Sequence, residues 1–288
     1  MIDTCCGLCC ASCSWKESAG CGGCIATKGH PFHGECPIAV CCLGKGHTHC
    51  GECEVIPCQN LFAYSYLDPV HGDKPPGNRI QVCRNWAAAS GKHRWEKVLL
   101  TSAGWFGMNG EVRTNIQRRF QEMLGKPADE AKVLFIPTAA ISEEAFEMVG
   151  KCRDELLRTG ILPENITVYN IGDPITTAEA MTYDCIYFTG GSTGYLLRRI
   201  KETGFDRIIK AMVYANKVYV GVSAGSLIAT PDIGGLFEET SALALVNAYI
   251  SVHSPKGTTA RTDLPLPHIP LSDDQALAVK WNGYEVIE

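Results

Sequence analysis

Residues 91 to 288 predict an α/β fold, an open and mostly parallel sheet with helices on both faces, and three observations carry that reading. Apolar runs of three to five residues recur at Val98-Leu99-Leu100, Val133-Leu134-Phe135-Ile136, Ile166-Thr167-Val168-Tyr169, Cys185-Ile186-Tyr187-Phe188 and Val218-Tyr219-Val220. Runs that short, without polar alternation, are what buried strands of a parallel sheet look like. Helical stretches separate them, as β-α-β connections require. The chemically distinctive residues, Thr189-Gly190-Gly191 and Ser223, fall just beyond two of the runs, where sites collect in such sheets.

Taken in order, residues 1 to 90 form a cysteine-rich head. His71-Gly72-Asp73-Lys74-Pro75-Pro76-Gly77-Asn78 reads as a surface loop, since two prolines and two glycines leave no room for regular structure. A short helix over 80 to 89 carries Cys83, and a boundary near Ser90-Gly91-Lys92 gives two parts, 1–90 and 91–288. A strand over 97 to 101 then exits through Ser102-Ala103-Gly104. Ile116, Phe120 and Met123 have helical spacing over 114 to 123. Strands at 133–137, 166–169 and 185–188 alternate with helices over 142–159, 195–201 and 206–215. The 218 strand runs into the serine turn, and 249–252 is a further strand ending at His253.

Composition narrows the class of function. The chain has 45% hydrophobic and 20% charged residues and a formal charge of −5, which gives no reason to expect nucleic acid or an anionic membrane surface as partner. No run reaches membrane-span length, and Met1-Ile2-Asp3-Thr4-Cys5 lacks the basic start and apolar core of a signal peptide. The expected location is cytoplasmic; the oligomeric state is left open.

Sixteen cysteines stand out, fourteen of them between Cys5 and Cys83. Cys6-x-x-Cys9, Cys10-x-x-Cys13, Cys21-x-x-Cys24 and Cys50-x-x-Cys53 have the spacing at which two thiolates meet one metal, and Cys58 adds a further sulfur. These residues predict a structural zinc site, two ions, with an iron–sulfur cluster as the alternative. A reduced fold packed by thiols is the plainer reading. The head also resembles small cysteine-rich bacterial and archaeal domains of uncharacterised role, through Cys6-Gly7-Leu8-Cys9 and the later Cys50-x-x-Cys53-x-x-x-Pro57-Cys58.

The 91–288 part is organised around Gly221-x-Ser223-x-Gly225. An apolar strand leads in and Leu227-Ile228-Ala229 follows as a first helical turn, the context of a nucleophile elbow. Small residues two before and two after the serine let the chain turn tightly, and the N–H of Ala224 can meet a developing oxyanion. Thr189-Gly190-Gly191 offers a second N–H donor, or is a permissive turn. A base must come from elsewhere, and His253 at the end of its strand is the best placed histidine. Asp232 follows the elbow helix as the orienting acid, with Glu238 and Glu239 as alternatives.

With those residues located, the stretch from 97 to 288 resembles the peptidase E family, bacterial aspartyl dipeptidases and relatives that are serine peptidases on a fold related to class I glutamine amidotransferases. The resemblance rests on Phe188-Thr189-Gly190-Gly191-Ser192-Thr193 with Leu196-Leu197, on Gly221-Val222-Ser223-Ala224-Gly225-Ser226, and on the run from Leu245 to His253. It implies Ser223 as nucleophile, His253 as base, Gly191 and Ala224 as oxyanion donors, Asp232 as acid, and a hydrolase of small peptides that trims N-termini after an acidic residue. The chain departs from the family after His253, where Ser254-Pro255-Lys256-Gly257 opens a short proline-rich stretch before the closing hairpin of Ala276-Leu277-Ala278-Val279 and Tyr284-Glu285-Val286-Ile287. The competing class is a metal-binding or redox interaction module on a catalytically silent scaffold.

Overall fold

Five strands, β1 (Val98–Thr101), β2 (Val133–Ile136), β3 (Ile166–Val168), β4 (Cys185–Phe188) and β5 (Val218–Val222), run parallel in the order β3-β2-β4-β5-β1, all but the edge strand β3 buried. The computed structural model describes residues 2–91, 97–107, 111–234, 241–280 and 283–288. The chain divides into two compact units, Met1–Arg94 and Trp95–Glu288, and this sheet is the centre of the second. A short parallel ribbon, β6 (Tyr249–Ser251) with β7 (His268–Pro270), stands apart from it. The hairpin β8 (Ala276–Lys280) and β9 (Gly283–Ile287) then joins beyond β1, with β8 antiparallel to β1, so the seven-stranded sheet is mixed.

The predicted helices form at Thr114–Leu124, Glu143–Thr159, Thr193–Thr203 and Asp206–Tyr214. Ser142 caps the second by accepting the Ala145 N–H, and Gly160 ends it in the left-handed region, where a residue without Cβ is least strained. Right-handed crossovers put the first two helices on one face of the sheet and the last two on the other. The first face is a single apolar core in which Ile116, Phe120, Cys152 and Leu156 pack on Leu99, Phe135, Tyr187 and Val220. Trp105 stacks on Phe120 at 4.7 Å between ring centres, and Phe135 on Tyr187 at 5.4 Å.

Glu155 is buried in that core, the one acid so placed among the described residues of this unit. Glu155 takes the Trp105 and Phe106 backbone N–H groups on one oxygen, at 2.6 and 3.1 Å, and the Tyr187 hydroxyl on the other, at 2.7 Å. Burial pushes its carboxyl up to about 7, while Tyr187, the two N–H groups and Arg113 pull it the other way.

The first unit is built on the helices Pro37–Gly44 and Asn78–Ala89. Cys5, Cys6, Cys42, Cys50 and Cys83 are buried with Ile38, Leu61, Ile80 and Ala87. An ion pair of Arg79 with Asp73, at 2.6 Å, is enclosed on both sides. The metal expectation is corrected here: among the described residues no group of three or more His, Cys, Asp or Glu side chains could hold a metal ion. The paired cysteines Cys6, Cys9, Cys10, Cys13, Cys21, Cys24, Cys50 and Cys53, with Cys58, therefore form neither the zinc sites nor the iron–sulfur site that their spacing predicts. Their pairs are divided between environments, Cys6 buried with Cys9 exposed and Cys50 buried with Cys53 only partly so. Burial raises the Cys6 thiol to about 11 and the Cys83 thiol further, which keeps both protonated as small apolar packing groups. No helix among the described residues is long and apolar enough to cross a membrane.

Glu155 makes stability depend on pH. Its folded value of about 7 lies above the free-glutamate value of 4.5, so the unfolded chain releases the proton first. The contribution is complete below about pH 4.5 and is lost as pH rises through 7, by on the order of 3 kcal/mol. Urea unfolding of Glu155→Gln beside wild type from pH 5 to 8 should show a decline in wild type that the variant lacks; parallel curves would refute it.

Candidate active site

The site is assembled by strand register. Thr101 of β1 pairs with Val222 of β5, and Phe188 of β4 pairs with Gly221, so the three strands end at nearly one level. Their next residues, Ser102, Thr189-Gly190 and Ser223, therefore meet at the carboxyl edge of the sheet.

Ser223 turns there with φ 49° and ψ −106°, a conformation that costs a non-glycine residue about 1–3 kcal/mol. Several bonds hold the turn. The Ser223 N–H donates to the Thr101 carbonyl at 3.0 Å. The buried Ser226 hydroxyl reaches the carbonyls of Thr101 and Gly221, at 2.7 and 2.8 Å, and the Tyr219 hydroxyl donates to the Gly225 carbonyl at 2.6 Å. Both glycines of the motif are sterically required. A Cβ on Gly225 would lie 2.6 Å from Phe188 Cβ, and one on Gly221 would collide with the Gly225 carbonyl.

His253 lies two residues past β6. Its Nε2 is 3.0 Å from Ser223 Oγ, and its Nδ1 is 2.7 Å from Asp273 Oδ1. A carboxylate can only accept, so Nδ1 carries the proton and Nε2 is free to accept from the serine. The ribbon explains the meeting of histidine and acid: β6 and β7 are parallel, so His253 and Asp273 both leave its same end. The Ser254 N–H to the Leu271 carbonyl, at 3.0 Å, keeps the two exits together.

Residues 98–280 match the family model described as Peptidase family S51. The chain belongs to peptidase family S51. It is 36% identical over 115 residues to an uncharacterized peptidase of Listeria monocytogenes, covering 40% of this chain and 56% of that one. To an uncharacterized peptidase of Pasteurella multocida it is 28% identical over 168 residues, 51% and 80% of the two chains. To peptidase E of Salmonella newport it is 30% identical over 101 residues, 35% and 42%. A Listeria monocytogenes EGD-e crystal structure described as a peptidase E protein matches with a TM-score of 0.52 at 25% identity, covering 66% of this chain and 97% of that one. The chain spans about half the length of the Listeria relatives it matches, 56% and 48%. The S51 match begins at residue 98 and leaves the cysteine-rich head outside it.

Within the S51 unit, Asp232 is not the acid on the imidazole. Its Oδ1 accepts the Gly234 N–H at 2.6 Å, and the carboxylate on His253 Nδ1 is that of Asp273. The alternatives Glu238 and Glu239 lie outside the described residues. A sequence signal for Asp273 does exist. A strand antiparallel to β1 must begin at the carboxyl edge of the sheet, and Thr101 pairs with Ala276, so the acids just before β8 belong there.

Of the glycine pair, Gly190 faces the serine: a Cβ there would sit 3.3 Å from Ser223 Cβ. Gly191, at φ 136°, presses on the Ala139 carbonyl, which leaves no space for a side chain. Ala224 is fully buried and opens the helix Ala224–Leu227.

A cavity of about 200 Å³ opens beside Asp273, lined by Phe106, Arg113, Lys151, Glu155 and Arg158 among others. Arg113 pairs with Asp274 at 2.9 Å through Nη2, and its Nη1 is buried with no hydrogen-bond partner among the described residues. The Arg158 guanidinium lies over the Phe106 ring, 5.2 Å from its centre.

Gly225→Ala should destabilise the fold by about 1–3 kcal/mol, because the added methyl meets Phe188 on a fixed strand. Chemical denaturation checks it, and an unchanged midpoint would mean the elbow has slack that this packing denies.

Proposed function

We propose that the chain is a serine-type peptidase acting on small peptides through a covalent acyl-enzyme. The observation that carries this is the continuous hydrogen-bonded line from Ser223 Oγ through His253 to Asp273, at 3.0 and 2.7 Å, with the serine on a strained elbow. His253 Nε2 takes the Ser223 proton as the hydroxyl attacks the substrate carbonyl, then returns it to the departing amine. Asp273 holds the imidazole in the tautomer this requires and stabilises the imidazolium. The N–H groups of Gly191 and Ala224 are assigned to the tetrahedral oxygen, where one good donor contributes about 3 kcal/mol in comparable sites. We assign the reaction to residues 91–288 and treat 1–90 as a separate cysteine-rich module.

The preferred substrate is a dipeptide or short peptide with an acidic residue at its N-terminus. The cavity beside Asp273 supports this, since Arg113, Lys151 and Arg158 in its lining are cations that can pair with a substrate carboxylate. Membership of S51 and similarity to peptidase E of Salmonella newport support it from a second direction.

Three substitutions test the assignment on a peptide panel. Ser223→Ala should abolish turnover with the fold intact. Asp273→Asn should lower kcat by on the order of 10³–10⁴-fold, the loss expected when the imidazole is held in the wrong tautomer. Asp232→Asn should leave kcat near wild type. Turnover surviving in Ser223→Ala would end the serine reading, and a large loss in Asp232→Asn with none in Asp273→Asn would reverse the assignment of the acid. For specificity, Arg113→Gln should cut the preference for acidic over neutral peptides on the order of 10-fold; an unchanged ratio would remove the cavity from substrate recognition.

A further inference from the structure

Ser102, the first residue beyond β1, is fully buried. Its Oγ accepts the His253 backbone N–H at 2.6 Å and donates to Asp273 Oδ1 at 2.9 Å. That carboxylate oxygen also takes the imidazole proton from His253 Nδ1, at 2.7 Å. The result is a closed ring from the histidine backbone, through the Ser102 hydroxyl and the acid, back to the histidine ring. Its directions are forced. A backbone N–H can only donate and a carboxylate can only accept, so the single Ser102 proton has one place to go.

The two groups held in this way need holding. The His253 and Asp273 side chains are 53% and 56% exposed, and a charged contact that open to water fixes geometry weakly. Ser102 is the buried member of the ring and directly follows Thr101, the last residue of β1, whose carbonyl already takes the Ser223 N–H and the Ser226 hydroxyl. Consecutive residues at one strand end therefore fix the nucleophile turn and the base–acid pair relative to each other.

We infer that Ser102 is a positioning residue for the hydrolysis: it touches no reacting atom, and it sets the distance and angle at which His253 Nε2 faces Ser223. This rests on the peptidase reading above. It assigns a role to a residue outside both the Gly-x-Ser-x-Gly motif and the run that ends at His253.

The test compares Ser102→Cys and Ser102→Thr in the full chain. Cysteine keeps the size but is a poor donor and acceptor, and threonine keeps the hydroxyl. Readouts are kcat and KM on the panel peptide that wild type cleaves fastest, the rate at which a fluorophosphonate probe labels Ser223, and the thermal midpoint. In Ser102→Cys, kcat and the labelling rate should fall about 100-fold, the loss expected for a misplacement near 1 Å, with KM within about twofold. Ser102→Thr should recover both rates to within about 10-fold of wild type. Wild-type kcat in Ser102→Cys would overturn the inference. So would equal losses in both variants with KM rising in step, the behaviour of a purely structural residue. Ser223→Ala, run alongside, separates the two levels of argument. If it stays active, the peptidase reading fails; if it is inactive while Ser102→Cys is fully active, only the positioning role fails.

Discussion

The level at which β1, β4 and β5 end is the constraint on which the site depends. Pairing of Thr101 with Val222 and of Phe188 with Gly221 brings three exits to one edge, and each exit contributes something different: an anchoring hydroxyl, a glycine pair, and a strained serine. The strain of the elbow is offset locally, by the Ser226 and Tyr219 hydroxyls and the Thr101 carbonyl, all of them on or beside the same strands. A shift of one residue in this register would turn each of these groups to the opposite face of the sheet.

Much of this edge was legible from residues 97 to 288. The five parallel strands and four longer helices lie where the apolar runs and helical spacing put them, because buried parallel strands leave a continuous apolar signature. The meeting of Ser223 and His253, at 3.0 Å, has a related origin: a glycine-flanked serine after a strand and a histidine at a strand end are local patterns that place both at one sheet edge. Asp273 was not legible in this way, because the signal in its place just before β8 emerges only once β8 is known to run antiparallel to β1, a pairing across most of the unit. Ser102 was invisible for the same reason. Its role comes from hydrogen bonds to residues 151 and 171 positions away in the chain.

The head shows the opposite failure, a strong local pattern overruled by packing. Spacing of two residues between cysteines allows two thiolates to face one ion, but it does not bring a third and fourth. In this fold the burial of Cys5, Cys6, Cys42, Cys50 and Cys83 among aliphatic side chains uses the sulfur as volume rather than as ligand. Glu155 is the converse case on the other unit, a charge that composition would place at the surface and that three donors hold in the core.

The pairing of β1 has a consequence for the order of events during folding. β1 is flanked by β5 on one side and β8 on the other, and Asp273 lies in the segment that joins β7 to β8. The ribbon holds Asp273 beside His253, but the pair meets Ser102 and Ser223 with the docking of β8 on β1, a strand contact that spans more than 170 residues of chain. Contacts of such long range are the slow ones to close. The arrangement thus ties completion of the hydrogen-bonded ring of Ser102, His253 and Asp273 to the docking of the C-terminal strand on the sheet.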